Sequence, residues 1–314
     1  MIYIKSNYKH REIKPLTSLN LINSFLFDSS MEDPKNAKFI AKTIVKRATG
    51  RELNDFTVET QKEFKAVEPG KRGIRLDVLV SVPNVDGHTN EIYDIEPNDY
   101  YEPDLSKRTR FYNALTDVKL LNSQEDFGEL PELISIWILT YDPFGDNRMI
   151  YTVKNVVTDN PKLKYNDGVT NLFLYTEGTV GGSTELRHLL KHMTDTKAEN
   201  ALDSDLKQIQ KIVDSVKSNR EVGERYMSME KIMESAKYHG YIEGKEEGFS
   251  IGKDEGRAEG RAEGRAEERK ENIQAFIESY KEDNFSKEQI KEKLVKKFKL
   301  SETDSDKYLQ EFYK

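Results

Sequence analysis

Four polar side chains lie inside otherwise hydrophobic strand-like runs: Asp77 within Gly73–Val80, and Asp94, Glu96 and Asn98 within Tyr93–Asn98. Acids in such runs are costly unless paired or bound to a metal. Successive strand side chains point to opposite faces, so Asp94, Glu96 and Asn98 share one side. Glu96 follows Asp77 by 19 residues, and a hairpin in register brings Asp77 opposite that side. Carboxylates converging there form a hard-oxygen site suited to Mg²⁺ or Mn²⁺, with Asp77, Glu96 and Asp94 as candidate ligands. A cation so held polarises a phosphoryl oxygen and acidifies a water. The competing reading is an edge hairpin whose acids alternate towards solvent.

The elements that would position these groups can be read from periodicity. Arg75–Val82 and Asn90–Pro97 are predicted strands, joined by the turn residues Asn84, Val85, Asp86 and Gly87. Phe56–Phe64 reads as an earlier strand. Leu16–Phe27 has helical spacing, and a second helix after Pro34 carries Phe39, Ile40, Ile44 and Val45 inward, with Gly50 as its stop. Asp104–Leu121 reads as a helix with Leu105, Phe111, Tyr112, Leu115 and Val118 on one side. Ile134–Tyr141 is a nearly unbroken apolar run, as in a strand buried on both faces. Ile150–Val157 and Asn171–Tyr175 complete the strands, and Leu186–Met233 reads as helical. The order predicts an α/β class with a mixed sheet flanked by helices and a mostly helical C-terminal region.

Composition bounds the function. The chain has 314 residues, no cysteine, 33% charged residues and a net charge of −7. Thiolate metal sites, disulfides and a catalytic thiol are excluded. An acidic total argues against passive, charge-driven coating of nucleic acid, but not against an enzyme with a local basic patch. Met1–Pro15 lacks the apolar run of a signal peptide, and no stretch is long and apolar enough for a membrane span. A soluble cytoplasmic protein is expected.

Glycine recurs every four residues at Gly240, Gly244, Gly248, Gly252, Gly256, Gly260 and Gly264, with Arg and Glu in the neighbouring columns. On a helix this stripe drifts by ~40° per repeat, and each interior Gly costs roughly 1 kcal/mol relative to Ala. Either the segment is a solvated charged helix, or residues 240–264 pair with a second copy to make a homo-oligomer. Ser286–Gln289 has the pattern of a capping box, and Ser301–Asp304 suggests a further helix start. The expected organisation is 1–185 for the α/β domain, 186–235 for a helical extension, 236–271 for the repeat helix and 272–314 for a small helical unit.

His188 and His192 are spaced to meet on one helix face, but no acid lies between them and no third ligand is evident. They read as structural or surface residues. Trp137 reads as a buried strand residue.

The string Gly-x-Arg-x-Asp-Val at 73–78, followed by Ile-Glu-x-polar at 95–98, resembles PD-(D/E)XK nucleases. It is more similar to the bacterial family of recombination-promoting nucleases and transposases. The likeness continues through Asp104–Tyr112 (Asp-Leu-Ser-Lys-Arg-Thr-Arg-Phe-Tyr), Glu125–Pro131, Tyr141–Gly145 and the Glu-Gly-Arg repeat, and so covers about residues 16–270. It implies a restriction-endonuclease-like core and metal-dependent cleavage of DNA, with Asp77 and Glu96 as ligands. Asn98 occupies the place of the family's Gln and the wider superfamily's Lys, a catalytic position. Arg108 and Arg110 become candidate phosphate-binding residues, of which one at most can face the site, because i and i+2 do not share a helix face. The chain departs from the family at Asn98, at Pro97, and at Asn23 and Ser24, where relatives carry acids; Asp28 is the nearest substitute. The alternative is therefore a chain that keeps the fold and binds DNA, or assembles, without cutting.

Overall fold

A computed structural model describes residues 13–314. Residues 1–12 lie outside it, and with them most of the Met1–Pro15 segment read above for a leader. The chain divides into two packed units, with the boundary between Ile232 and Met233.

In the first unit, local chemistry sets the elements. Asn23 caps α1 (Ser24–Ser30) by accepting from the Leu26 amide. Asp33 caps α2 (Pro34–Thr49), Pro34 fills its first position, and Gly50 ends it in a left-handed conformation at φ 75°. Then come β1 (Thr57–Phe64), β2 (Ile74–Pro83) and β3 (Thr89–Asn98), an antiparallel meander. The β2–β3 turn closes through Asn84, whose amide donates to the His88 carbonyl at 2.7 Å.

α3 (Leu105–Leu120) is the crossover that lets β4 (Glu132–Leu139) lie parallel to β3. β6 (Val169–Tyr175) continues parallel on β4, and β5 (Ile150–Val153) closes the edge antiparallel to β6. The sheet order is β1-β2-β3-β4-β6-β5. Parallel neighbours and cover on both faces explain why β4 reads as a continuous apolar run.

One face packs against α1, α2, α4 (Thr184–Thr194), α5 (Ser204–Ser218) and the first turns of α6 (Arg220–Glu282). The other packs against α3 through Leu105, Tyr112 and Leu115.

Three expectations need correction. Only Leu16–Ser18, as a 3-10 turn, and α1 are helical in the segment expected as one helix over Leu16–Phe27. Between them the Leu21 amide donates to Thr196 Oγ1 and the Ile22 amide to the Met193 carbonyl, tying the chain to the end of α4. Phe111 and Val118 are 40% and 55% exposed rather than inward. The α3 stripe is Leu105, Thr109, Tyr112 and Thr116, and Phe111 stands about 100° around from Tyr112. Lastly, Leu189, Leu190, Ile209 and Val213 share the core of the sheet, so packing shows no boundary at 185 and the expected extension belongs to the α/β unit.

In the second unit, the end of α6 packs Ile273 and Ile277 against Ile290 and Leu294 of α7 (Lys287–Phe298) and Leu309 of α8 (Glu302–Phe312). The Ser286–Gln289 capping box forms with both bonds, and Ser301 caps α8. The glycine repeat lies within α6, and a Cβ built at each of its glycines meets nothing within 4 Å among the described residues. No described helix is long and apolar enough to cross a membrane.

Candidate active site

The β1–β2–β3 meander is regular except at one point. Thr60 pairs with Val78 and Lys62 with Leu76, but the intervening Gln61 and Asp77 do not pair. Gln61 has φ 52°, a left-handed backbone that L side chains avoid at about 1–2 kcal/mol. On the other side, the β2–β3 ladder stops at Val78–Ile95, one residue short of Asp77 and Glu96. The phase of β2 slips at the same place. Val78 and Val80 pack in the first core, whereas Ile74 and Leu76, of the same parity, pack in the second.

Asp77 is thus released from the sheet on both sides. Its amide donates instead to Glu96 Oε1 at 2.9 Å, and its carboxylate accepts from Gln61 Nε2 at 3.2 Å. The same amide nitrogen donates to Asp28 Oδ1 at 2.8 Å, which links α1 to the site. Beyond the last β2–β3 pair, β3 has β4 alone as neighbour, and Pro97 falls in that stretch, opposite Ile138. A strand end with one free side tolerates proline's missing donor.

Asp94 and Glu96 are both 2% exposed. Burial pushes Asp94 up to about 7; a hydrogen bond with Glu96 and the Arg108 charge oppose this, and the Asp77 charge adds to it. Burial, followed by the charges of Asp94 and Asp77, pushes Glu96 well above the usual carboxylate range. Asp77 is also raised by burial, against the pull of Gln61, Arg75 and Arg108. Asp28 rises to about 7, through burial and then the Asp77 charge. Four acids are therefore gathered where burial favours their protonated forms.

Arg108 is the cation beside Glu96. It reaches Glu96 Oε2 at 3.8 Å, donates to the Tyr100 and Tyr112 hydroxyls at 2.9 Å each, and stacks over the Tyr112 and Trp137 rings at 5.0 and 5.2 Å. These groups line a cavity of about 440 Å³ that also includes Ser24, Arg75 and Asn98. Gly73 lets the β1–β2 hairpin close beside it, since a Cβ there would meet the Phe64 carbonyl at 2.6 Å.

Asp77, Asp94, Glu96, Asn98 and Arg108 are therefore brought together. Arg110 is not: it is exposed and lines a different cleft with Asp117, Asn155 and Phe144, which corrects its expected role at the phosphate. The helical period turns it away from Arg108. Asn98 uses Oδ1 to accept from the Tyr100 amide at 2.9 Å, while its Nδ2 has no partner among the described residues. His192 is buried and bonded to Gln210 at 2.9 Å, a core contact. Sequence reading missed Gln61, Tyr100 and Tyr112, and placed Trp137 in the core without its cavity edge. The signal for Tyr112 was its i+4 spacing from Arg108; nothing local marks Gln61.

Asp77 and Glu96 supply hard oxygen donors, and Asp94 Oδ1 is buried without a partner. This set of hard oxygen donors fits a divalent cation that keeps several waters. No described group of three or more His, Asp or Glu forms a ready-made metal cluster, so any such cation would rely on two or so protein ligands. Comparison with protein-family models, curated proteins and solved structures returned no match, and the site's own geometry is what carries a functional reading.

Proposed function

We propose that the Asp77–Glu96 centre hydrolyses phosphodiester bonds of DNA with Mg²⁺ or Mn²⁺, on a core of the restriction-endonuclease type. The observation that carries this reading is the release of Asp77 from both neighbouring strands. Its amide donates to the Glu96 carboxylate instead, and both residues line one cavity with Arg72, Arg75 and Arg108.

Asp77 and Glu96 would hold the cation. Bound there, it would supply Lewis acidity and neutralise charge building on the phosphoryl group. The rest falls to the chain. Asp94, protonated up to about pH 7, keeps a neutral carboxyl under Glu96, so that two buried carboxylates need not ionise side by side. Arg108, held by two tyrosine hydroxyls and two rings, presents its guanidinium to phosphate oxygens without having to reorganise. Asn98 Nδ2 offers a hydrogen bond but no charge, so it orients a water or phosphate oxygen without stabilising developing charge as a lysine would.

That lack of charge, and the Gln61 amide resting on Asp77, favour a second reading in which the centre binds DNA and does not cut. One experiment separates the two. Supercoiled plasmid incubated with Mg²⁺ or Mn²⁺ should be nicked by the wild type, and at least ~100-fold more slowly by Asp77→Asn and Glu96→Gln. Nicking that survives EDTA or both substitutions would overturn the first reading. DNA binding without nicking in any metal would leave the second.

A further inference from the structure

The cavity at Asp77 and Glu96 carries more unsatisfied donors than acceptors along its wall. Asn98, Arg108 and Trp137 line it, and their Nδ2, Nε and Nε1 atoms are buried with no hydrogen-bond partner among the described residues. They come from β3, α3 and β4. Native proteins rarely leave such groups unpaired, and three arginines on the same lining, Arg72, Arg75 and Arg108, suit an oxygen-rich, anionic ligand group. At about 440 Å³ the cavity has the size of a small-ligand pocket, enough for one nucleotide unit.

Past Asn98 and Asp99 the chain carries two exposed aromatic rings, of which Tyr100 lines the cavity. Tyr100 and Tyr101 are 55% and 71% exposed. Neither hangs loose. The Tyr100 hydroxyl accepts from Arg108, and its amide donates to Asn98 Oδ1. The Tyr101 ring stands edge-on to Tyr141 at 5.1 Å and 69°, and Tyr141 is fixed in turn by the Glu102 amide, which donates to its hydroxyl at 3.3 Å. Large rings that are exposed yet anchored suit stacking.

We propose that Tyr100 and Tyr101 form a stacking platform for unpaired nucleobases, so that the strand served by this cavity is single-stranded. Its phosphate meets the arginines of the lining, Arg108 among them. The net charge of −7 supports this assignment: a chain so charged gains little from general phosphate attraction, and stacking supplies affinity without it. Bases locked in a duplex present no free faces to the rings. The inference rests on the nucleic-acid reading above and narrows it to strand state.

The test uses the full chain in EDTA, so that nothing is cut, and measures fluorescence anisotropy with three probes. These are a labelled 12-nucleotide thymidylate strand, an abasic strand of equal length, and a 12-base-pair duplex. The thymidylate strand should bind at least ~10-fold more tightly than either of the others. Tyr101→Ala should lower its affinity by ~5-fold or more, in line with the measured worth of one stacked base, while Tyr101→Phe keeps it. Because Tyr101 is exposed, the thermal midpoint of Tyr101→Ala should match wild type, which separates lost stacking from lost folding. Equal binding of thymidylate and abasic strands, or a Tyr101→Ala variant that binds like wild type, would overturn the platform. If plasmid nicking still occurs in that case, only the platform fails. Thymidylate preference without nicking keeps the platform and removes the enzymatic reading. If no probe binds and nothing is nicked, both fall.

Discussion

Replacing Asp94 with Asn should stabilise the metal-free protein, and by an amount that depends on pH. Asp94 is buried beneath Glu96 with one oxygen unpartnered, and its ionisation moves from 3.8 to about 7. At 1.36 kcal/mol per pH unit this corresponds to a ceiling of about 4 kcal/mol. Below about pH 4 the carboxyl is protonated in both folded and unfolded chains, and the substitution changes little. Between about pH 4 and 7 the unfolded chain ionises while the folded one keeps its proton, so the wild type loses stability as pH rises. Above about 7 both forms ionise and the deficit stops growing. Asn has the same shape and no charge to remove from water. Urea unfolding in EDTA at pH 4.5, 6 and 8 should therefore show Asp94→Asn close to wild type at the lowest pH and a few kcal/mol more stable at the highest. A difference that does not change with pH, or a wild type that gains on the variant towards pH 8, would refute the reasoning.

Three further outcomes follow from named contacts. Gln61→Leu removes the amide that bonds Asp28 and Asp77 and should destabilise by about 1.5–3 kcal/mol; the loss should be larger at pH 8 than at pH 5, because Asp28 ionises near 7. Arg108→Lys cannot fork between the Tyr100 and Tyr112 hydroxyls. It should cost about 1–2 kcal/mol and shift the emission of Trp137, the single tryptophan, to longer wavelength; unchanged emission would contradict the packing described. Gly256→Ala with Gly260→Ala meets nothing within 4 Å and should raise α6 stability by about 1 kcal/mol per site, read by amide hydrogen exchange across 250–265. Slower exchange supports a bare glycine face, and faster exchange would mean that face is covered in solution.

Much of the site's frame was legible because it is local. The hairpin register follows from Asn84–Gly87 and alternation; α2 is bracketed by Asp33 and Gly50; the Ser286–Gln289 box forms as the pattern predicts. That Asp94, Glu96 and Asn98 share a face also follows from period two. What was not legible depends on distant partners. The Leu21 amide is held by Thr196, 175 residues away, so a helical spacing lost to a tertiary bond. The slip of β2 at Asp77 depends on Gln61 adopting a left-handed backbone across the ladder, and glutamine carries no turn signal. Leu186–Met233 was legible as helical, but nothing local says that Leu189 and Ile209 fill the core beneath the sheet.

The central claim is that the buried carboxylates around Asp77 and Glu96 hold protons in place of a divalent cation. Isothermal titration of Mn²⁺ at pH 6, in buffers of different ionisation enthalpy, measures this by counting protons released per ion bound. Binding with protons released at pH 6, fewer released as pH rises, and lost in Asp77→Asn and Glu96→Gln, is the predicted result. No Mn²⁺ binding to the wild type, or binding that Glu96→Gln leaves unchanged, would contradict it.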